Sequence, residues 1–428
     1  MDVNQQIYTC RIQPSQWSKV AAQLKDSDIR WIRFGDELAV FSTDEASTEF
    51  LSGVSTRVDA RFSDDARTTR EQNLYVVSQK GRLFEEDHRD VEVIIDKGRF
   101  LLVELTDAQV AGMRERDEPC YALRRYEPNS VVFDSPGRPV SRRASPAWVQ
   151  TLVSKVKESS IRGIVEKLVS FRTRHSTSDQ YMEAANWCKG ELEGLGYRTR
   201  LSSVSVGGSV SQNVIAQREG SGQGERKQVL VTAHLDSVNT QGGPAADAPG
   251  ADDNASGSAG VLEIARVLKD HPNVDDFRLI LFGGEEQRLF GSRQYVSSLS
   301  AEHRARIKAV INMDMIGNQN TLELSVLLEG GEVSRGIIED LQDAAANHTS
   351  LEVQTSFDPH NSDHEPFIDE GIPAVLTIEG VDGANTDIHT ARDTLDKIDF
   401  ELAVEILKMN VAFTALGLGS NSSIDDSA

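Results

Sequence analysis

Four short apolar segments in the second half of the chain are each followed by side chains that can bind a metal ion. The segments are residues 228–233, 278–282, 308–313 and 374–378. The side chains that follow them are His234 and Asp236, Glu285 and Glu286, Asp314, and His389. Histidine and carboxylate groups are the ligands that zinc accepts where cysteine takes no part. The pattern therefore indicates a metal site assembled from several segments of the chain.

A further candidate lies between the first two segments, in the loop GADDNASG at 250–257, which carries Asp252 and Asp253. Taken alone, each acidic group has an ordinary explanation, because acids favour the positive end of a helix dipole and aspartate is common in turns. Together they would bury several carboxylates side by side. That burial is costly unless cations neutralise the charge. We therefore predict that these carboxylates bind cations.

The four apolar segments are short, rich in β-branched residues and nearly continuous in their apolar character. Strands buried on both faces have this composition, so we expect a mixed, mainly parallel sheet. Helical patterns at 161–171 and 181–195, and another from about Ser258, are expected to cover it. The predicted class is α/β, with the sheet sandwiched by helices. Ligands of such sheets gather at the carboxyl ends of the strands, where the candidate residues lie.

Residues 1–126 have a different pattern, which predicts a smaller α+β N-terminal domain. Strand-like segments at 37–41 and 100–105 each lead through a Thr-Asp pair into a helical pattern. Threonine and aspartate are favoured N-cap residues. The two segments start 63 residues apart, which suggests an internal duplication.

Residues 127–147 concentrate proline, serine and arginine without periodicity, which predicts a linker. A second domain is expected over residues 148–420, followed by a polar tail at 421–428. The SRRAS segment at 141–145 would be open to a trypsin-like protease.

Composition excludes several classes of function. The chain has 428 residues, of which 67 are acidic and 45 basic, and a formal charge of −22 disfavours nucleic acid and anionic membranes as partners. No apolar run approaches the roughly 18 residues of a membrane-spanning helix.

The three cysteines form no Cys-x-x-Cys pair, which argues against a thiolate zinc site and a disulfide framework. The opening MDVNQQIYTC lacks the features of a secretory signal and leaves the compartment open.

Six blocks of sequence, in this order, resemble the di-zinc aminopeptidases of peptidase family M28. They are AHLDSV, GADDNASGSAG, FGGEEQRLFGSRQYV, INMDMIG, SDHEPF with GIPAV, and DIHTARDTLDKID. The resemblance covers roughly residues 150–420. It implies the zinc-exopeptidase fold, two Zn²⁺ ions per chain, and hydrolysis of the N-terminal peptide bond of peptides that have a free N-terminus. It also favours a secreted or periplasmic location.

The resemblance assigns roles to individual residues. The aspartate directly before Asn-x-Ser-Gly matches the carboxylate that bridges the two zinc ions. The implied ligands are His234 and Asp314 for one ion, Glu286 and His389 for the other, and Asp253 as the bridge. Glu285 matches the general base, which takes a proton from a zinc-bridging water as the resulting hydroxide attacks. Asp236 would orient the imidazole of His234.

The chain departs from the family pattern at two positions. Many members have tyrosine directly before the last histidine, where it stabilises the oxyanion, and this chain has Ile388. Some members have arginine before the SDH block, where it helps to hold the N-terminal end of the substrate, and this chain has Asn361. Asp363 and His364 fit their block but are not ligands in the family, so we interpret them as part of the pocket wall.

Three other functions share parts of this pattern. Carboxypeptidases and deacylases of the related M20 family usually insert a domain between their fourth and fifth ligands, for which the segment between Asp314 and His389 is short. A glutaminyl cyclase uses a single zinc ion and would not need five ligands. A non-catalytic binding homologue would be expected to have lost ligands, whereas this chain keeps all five and Glu285.

The family also has precedents for propeptides. We therefore interpret residues 1–126 as a candidate prodomain that inhibits the second domain or assists its folding, with a plain accessory domain as the alternative. Side-chain specificity and oligomeric state stay open. The native metal also stays open, because Co²⁺ or Mn²⁺ could occupy the same ligands.

Overall fold

The chain divides into two units in the computed structural model. The first comprises Met1–Gly137 and Gln354–Asn361, and the second comprises Arg138–Val353 and Ser362–Ala428. The structure describes residues 5–13, 16–25, 29–42, 67–69, 71–115 and 121–420.

The first unit contains nine strands and three helices within its described residues. The first group is β1 Gln5–Arg11, α1 Trp17–Lys25, β2 Arg30–Phe34, β3 Glu37–Ser42 and β4 Arg67–Thr69. The second group is β5 Leu74–Gln79, α2 Leu83–Asp87, β6 Glu92–Lys97, β7 Phe100–Glu104, α3 Asp107–Glu115 and β8 Tyr121–Arg125, and strand β9 Ser130–Gly137 follows.

The two groups have the same topology. Their strands are ordered β2-β3-β1-β4 and β6-β7-β5-β8, and every pairing within each group is antiparallel. The second group has the β-α-β-β-α-β sequence of a ferredoxin-like module. Leu38 and Val40 of β3 lie in the apolar core of the first group, and Leu101 and Val103 lie in that of the second. Each equivalent pair is 63 residues apart, which supports the predicted duplication.

The predicted helix after Thr106 is present as α3. The backbone N–H of Gln109 lies 3.3 Å from the hydroxyl oxygen of Thr106, and the backbone N–H of Thr106 donates to the side-chain oxygen of Gln109 at 2.9 Å. This reciprocal pair is a capping box. The corresponding helix predicted after Thr43-Asp44 lies outside the described residues.

The segment assigned to a linker from the sequence, 127–147, contains strand β9. This strand pairs in parallel with β2, and its Val132 and Phe133 are buried. Strand β9 therefore forms despite the proline and serine of this segment, because burial of Val132 and Phe133 stabilises it.

The described part of the second unit contains nine α-helices and eight strands, one of which, Glu352–Ser356, continues into the first unit from Gln354. The strands are β10 Arg198–Val206, β11 Ser209–Arg218, β12 Gln228–His234, β13 Asp276–Phe282, β14 Ile307–Met313, β15 Ser325–Gly330, β16 Glu352–Ser356 and β17 Ala374–Glu379. The helices are α4 Ala147–Val153, α5 Glu158–Val169, α6 Asp179–Gly194, α7 Gly257–Leu268, α8 Phe290–Ser297, α9 Ala301–Arg306, α10 Arg335–His348, α11 Glu365–Asp369 and α12 Phe400–Leu418.

The strands of the second unit follow the order β10-β11-β13-β12-β14-β17-β15-β16. The central strands β13, β12, β14 and β17 are parallel, while β11 joins β13 and β15 joins β17 in antiparallel pairs. The predicted α/β class with a mixed, mainly parallel sheet is therefore confirmed. All four apolar segments predicted from the sequence are these central strands.

Helices cover both faces of this sheet. On one face, Leu230 and Val310 pack in an apolar cluster with Tyr295 of α8 and Phe367 of α11. On the other, Met313 contacts Gly260 of α7. Since successive side chains of a strand point to opposite faces, the nearly continuous apolar runs are explained by burial on both sides.

Among the helices that the structure describes, none is both long enough and apolar enough to cross a membrane.

Candidate metal centre

The candidate ligands meet at the carboxyl ends of the central strands. His234 is the last residue of β12, and Asp314 directly follows β14. Glu286 lies in the turn after β13, and His389 lies in the loop after β17. The four strands are parallel, so their carboxyl ends share one edge of the sheet. The fold thus brings together residues that are more than 150 positions apart.

One group of ligands comprises His234, Asp253 and Asp314. The Nε2 atom of His234 lies 3.1 Å from Oδ1 of Asp253 and 3.2 Å from Oδ1 of Asp314. All three residues are buried. Each offers one ligand atom, and these atoms lie within 4.8 Å of one another. The spacing suits three ligands converging on one ion.

A second group comprises Asp253, Glu286 and His389. The Nε2 atom of His389 lies 2.9 Å from Oε2 of Glu286 and 3.1 Å from Oδ2 of Asp253. Asp253 therefore directs one carboxylate oxygen to each histidine. Among the described residues, these two groups are the sets of three or more such side chains that could hold a metal ion.

The Asn-x-Ser-Gly motif fixes the loop that carries Asp253. The side-chain oxygen of Asn254 accepts from the backbone N–H of Gly257 at 2.9 Å, and its amide nitrogen donates to the carbonyl of Met313 at 2.9 Å. The hydroxyl of Ser256 accepts from the backbone N–H of Ile316 at 3.0 Å. The loop is thereby fastened to the segment around Asp314, and its Asp253–Asn254 peptide bond is cis.

Asp252 points to different partners. Its carboxylate accepts from the backbone N–H of Gly317 and from the side-chain amide of Asn385, each at 2.9 Å. It also forms a hydrogen bond with the buried carboxyl group of Glu379. Burial raises the pKa of Asp252 to about 6, and burial with the charge of Asp252 raises the pKa of Glu379 well above its usual range. Asp252 is therefore part of a proton-sharing pair, while Asp253 faces both histidines.

Asp236 supports the site in two ways. The Nδ1 atom of His234 lies 3.1 Å from the backbone carbonyl of Asp236. Because a carbonyl only accepts, Nδ1 carries the proton and Nε2 is free to bind a metal. The carboxylate of Asp236 accepts from the backbone N–H groups of Glu285 at 3.3 Å and Glu286 at 3.2 Å. Its Oδ1 also lies 3.6 Å from Nδ1 of His234, so Asp236 contacts both the imidazole and the turn after β13.

Glu285 and Glu286 do not begin a helix, which was the ordinary explanation for two adjacent acids. Helix α8 begins at Phe290, and the preceding Arg288 and Leu289 have φ angles of +84° and +58°. The turn instead presents both carboxylates towards the histidines. Oε2 of Glu285 lies 3.9 Å from Nε2 of His234, and this residue is 4% exposed.

A chain of hydrogen bonds supports Asp314 from the other side. The hydroxyl of Ser362 donates to Oδ2 of Asp314 at 2.7 Å and accepts from the side-chain amide of Asn312 at 2.9 Å. The hydroxyl of Thr232 donates to Asn312 at 2.8 Å. Such bonds hold a carboxylate in one orientation and leave its other oxygen for a ligand role.

The donor set fits two divalent cations. Four carboxylates, those of Asp253, Glu285, Glu286 and Asp314, surround two imidazoles in a buried site. Burial alone would lower the pKa of His234, but the charges of Glu285 and Asp314 raise it well above its usual value. The raised pKa of His234 indicates that the site holds more negative charge than its own side chains neutralise. Imidazole and carboxylate groups are both zinc ligands.

The residues at the two departures have no metal-binding role in this geometry. Ile388 is a buried apolar side chain beside His389. Asn361 has a φ angle of +48° and directly precedes Ser362.

Asp363 and His364 are fully buried, with His364 Nε2 3.5 Å from Oε1 of Glu329. Burial raises the pKa of Asp363 to about 7.

Two supporting residues had no assigned role from the sequence. Asp393 follows His389 by four positions within the quoted DIHTARDTLDKID block, which is the one signal that could have drawn attention to it. Arg174 lies in SFRTRHSTSD, where no motif or periodicity marks it. Both are buried beside the loop that carries Asp253.

Comparisons with known proteins show which family and fold this chain resembles. Residues 213–414 match the model of peptidase family M28. A probable leucine aminopeptidase of Arthroderma benhamiae is 27% identical over 291 residues, which cover 65% of this chain and 78% of that protein.

Solved structures share the fold. A zinc aminopeptidase from Bacillus subtilis matches with a TM-score of 0.55 and 18% identity, over 63% of this chain and 97% of that one. LapB from Legionella pneumophila matches with a TM-score of 0.58 and 22% identity, over 81% of this chain and 99% of that one. The matched segment 213–414 includes all five candidate ligands and Glu285. Over this segment, which is slightly less than half of its length, the chain is similar to peptidase family M28.

Proposed function

We propose that this chain is a two-zinc aminopeptidase that hydrolyses the N-terminal peptide bond of peptides. The observation that carries the proposal is the pair of ligand groups that share Asp253. One carboxylate that directs its two oxygens to two separate histidines is suited to bridging two cations. The names of related proteins, which include leucine aminopeptidases and zinc aminopeptidases, support the same activity.

The ligands divide between the two ions. His234 and Asp314 would hold one zinc ion, Glu286 and His389 the other, and Asp253 both. When bound, zinc ions lower the pKa of a water molecule towards neutrality and polarise a scissile carbonyl group.

Glu285 acts as the general base in this proposal. Its carboxylate takes the proton from the attacking water and returns it to the nitrogen of the leaving peptide. The side chain suits this role because it is nearly enclosed and lies beside His234. Asp236 holds the backbone of both Glu285 and Glu286, and so keeps the base and a ligand in fixed positions.

Recognition of the substrate's amino group falls to the metal site and its acidic neighbours. Ile388 offers no hydroxyl group and Asn361 offers no guanidinium group. A free α-amine is basic and cationic, so carboxylates at the rim would attract it.

The test is a Glu285→Gln variant assayed on leucine p-nitroanilide, with zinc counted in the same samples. Loss of a general base is expected to lower kcat by about 10²- to 10⁴-fold. Zinc content should stay near two ions per chain, because Glu285 is outside both ligand groups. Glu302→Gln, at an exposed glutamate of α9, is the matched control and should leave both values unchanged.

The alternatives give different results in the same experiment. Hydrolysis of N-acetyl-leucine p-nitroanilide as fast as the free-amine substrate would contradict aminopeptidase specificity and would favour a deacylase. One zinc ion per chain, with cyclisation of N-terminal glutamine, would favour a glutaminyl cyclase. Unchanged activity of Glu285→Gln would overturn the proposed mechanism.

A further inference from the structure

Buried charged side chains form hydrogen bonds with the backbone of the loop that carries Asp253, on two sides of the loop. On one side, the carboxylate of Asp393 accepts from two consecutive backbone N–H groups. Its Oδ1 binds the N–H of Asp252 and its Oδ2 binds that of Asp253, each at 2.9 Å. Asp393 is 2% exposed. The same loop that supplies the ligand His389 therefore also anchors the backbone of the ligand Asp253.

On the other side, the guanidinium group of Arg174 donates to backbone carbonyls. It binds Gly250 at 2.8 Å and also binds Pro249, at the start of the loop. Its Nε donates to the carbonyl of Leu235 at 2.8 Å, and Leu235 directly follows the ligand His234. Arg174 is fully buried. The planar guanidinium group thus connects the residue after β12 to the loop that carries Asp253.

The loop has little room to adjust between these two contacts. Gly250 has a φ angle of +53°, and a Cβ atom there would lie 2.4 Å from the carbonyl oxygen of Asp253 and 2.5 Å from Cβ of Ser237. The backbone on both sides of the metal-facing residue is therefore held by hydrogen bonds and by close packing.

We propose that Asp393 and Arg174 are positioning residues that set the orientation of the Asp253 carboxylate, and with it the affinity for the pair of metal ions. The inference rests on the proposed two-zinc site. Each residue joins two ligand-bearing segments: Asp393 joins those of His389 and Asp253, and Arg174 joins those of His234 and Asp253. Their loss should therefore change the spacing of ligands and not only the stability of the fold.

Asp393→Asn is the first test. An amide keeps one acceptor but turns an NH₂ group towards the second backbone N–H, so one of the two hydrogen bonds is lost and a donor faces a donor. Groups that orient metal ligands typically account for about 10- to 100-fold in metal affinity or activity, and we expect a loss of that size in zinc affinity. The visible absorption of the Co²⁺-loaded variant should also change, and kcat should fall with KM nearly unchanged.

Matched controls are available nearby. Asp396→Asn changes an exposed aspartate three residues away, whose partner is the hydroxyl of Thr394. Arg174→Lys keeps the buried charge but loses the fork of donors, and Arg172→Lys makes the same change at an exposed position. Zinc affinity should fall for Arg174→Lys and stay unchanged in both controls.

A normal zinc affinity and a normal Co²⁺ spectrum in folded Asp393→Asn, with only a lower Tm, would overturn the proposal and leave a structural role. If Asp393→Asn does not fold, zinc affinity of Arg174→Lys decides in the same way. Zinc binding is measured without a peptide substrate. Absence of peptidase activity in the unmodified protein would therefore count against the proposed function and not against this inference.

Discussion

Charge is paired with opposite charge around Arg33 in the first unit, whereas like charges lie together at the candidate metal groups of the second unit. In the first unit, the buried Arg33 pairs with Asp134 at 2.6 Å and lies 4.2 Å from the ring centroid of Trp17. The partly exposed Lys97 lies 2.6 Å from Asp36 and 3.0 Å from Glu37. In the second unit, four carboxylates crowd around two histidines. A protein that only needed stability would pair its charges as the first unit does.

The difference indicates which unit would bind the proposed cations. Where side chains of opposite sign neutralise one another, the fold is complete by itself. Where like charges are buried together, either one group takes up a proton, as in the pair of Asp252 and Glu379, or a bound cation offsets the charge. Among the described residues, both candidate metal groups belong to the second unit.

The largest expected effect separates Asp253 from its neighbour. Asp253→Ala removes a ligand from both groups, so zinc binding should be lost, and kcat/KM should fall by at least about three orders of magnitude. Asp252→Asn is the matched variant, because Asp252 binds Gly317 and Asn385 rather than the histidines. It should keep about two zinc ions. Zinc counts and rates on leucine p-nitroanilide check both variants, and the reverse pattern would move the bridging role to Asp252.

A smaller effect tests the first unit. We propose that residues 1–126 form a prodomain that inhibits the second unit or assists its folding, with a plain accessory domain as the alternative. The SRRAS segment, which looks open to trypsin in the sequence, is held on α10: the backbone N–H of Arg142 donates to Asp343 at 2.7 Å, and the carbonyl of Arg143 accepts from Asn347 at 2.9 Å. Trypsin should therefore cut it slowly, and a better site for controlled cleavage is the boundary between Gly137 and Arg138.

The experiment inserts the recognition sequence of a specific protease between Gly137 and Arg138. A tethered inhibitor acts at a high effective concentration, so cleavage followed by dilution should raise kcat/KM several-fold. The unmodified chain treated with the same protease is the control. An unchanged rate after complete cleavage would contradict inhibition. Normal refolding of the separated fragment 138–428, which keeps residues 354–361 of the first unit, would contradict a folding role.

The smallest effect concerns a charge cluster of the second unit away from the metal groups. Asp276 is partly buried, which alone would raise its pKa. Hydrogen bonds from Arg226 at 2.6 Å and from the backbone of Gly220 at 2.9 Å, with the charge of Arg306, instead lower its pKa below its usual range. A lowered pKa in the folded state stabilises the protein above the unfolded pKa of about 3.9 and ceases to do so as the pH falls through the folded value.

Asp276→Asn should therefore destabilise the metal-free protein at pH 7 by about 1–3 kcal/mol. The difference from the unmodified protein should shrink as the pH falls below about 4, because aspartic acid then also loses its charge. Thermal unfolding across this pH range is the measurement. Asp270→Asn, at a side chain that is 83% exposed, is the control and should change little. A constant difference at all pH values would contradict the assigned pKa shift.

Much of this protein could be predicted from short-range patterns. Continuous apolar runs predicted β12, β13, β14 and β17, because burial on both faces leaves that signal in consecutive residues. The metal-binding side chains could be proposed because they directly follow those strands. The choice of Asp253 over Asp252 depended on the neighbouring Asn-x-Ser-Gly motif, and the hydrogen bonds of Asn254 and Ser256 give that motif a physical reason.

Other features depend on residues that are distant in the chain. Strand β9 lies in a segment rich in proline and serine, and only its pairing with β2 makes it a strand. The turn at Glu285 and Glu286 resembles the start of a helix in sequence, and two positive φ angles delay that helix to Phe290. Neither strand β9 nor the turn before α8 could be predicted from a local sequence pattern.

The sequence by itself therefore predicted the central strands, the resemblance to a family and the chemical type of the candidate site, because hydrophobic burial and ligand chemistry act on single residues and their neighbours. Only the tertiary structure decided which groups face each other. The roles of Asp393 and Arg174 could be recognised only in the structure. Asp393 binds backbone N–H groups and Arg174 binds backbone carbonyls, and every residue type has these groups, so they leave no signature in the amino-acid sequence.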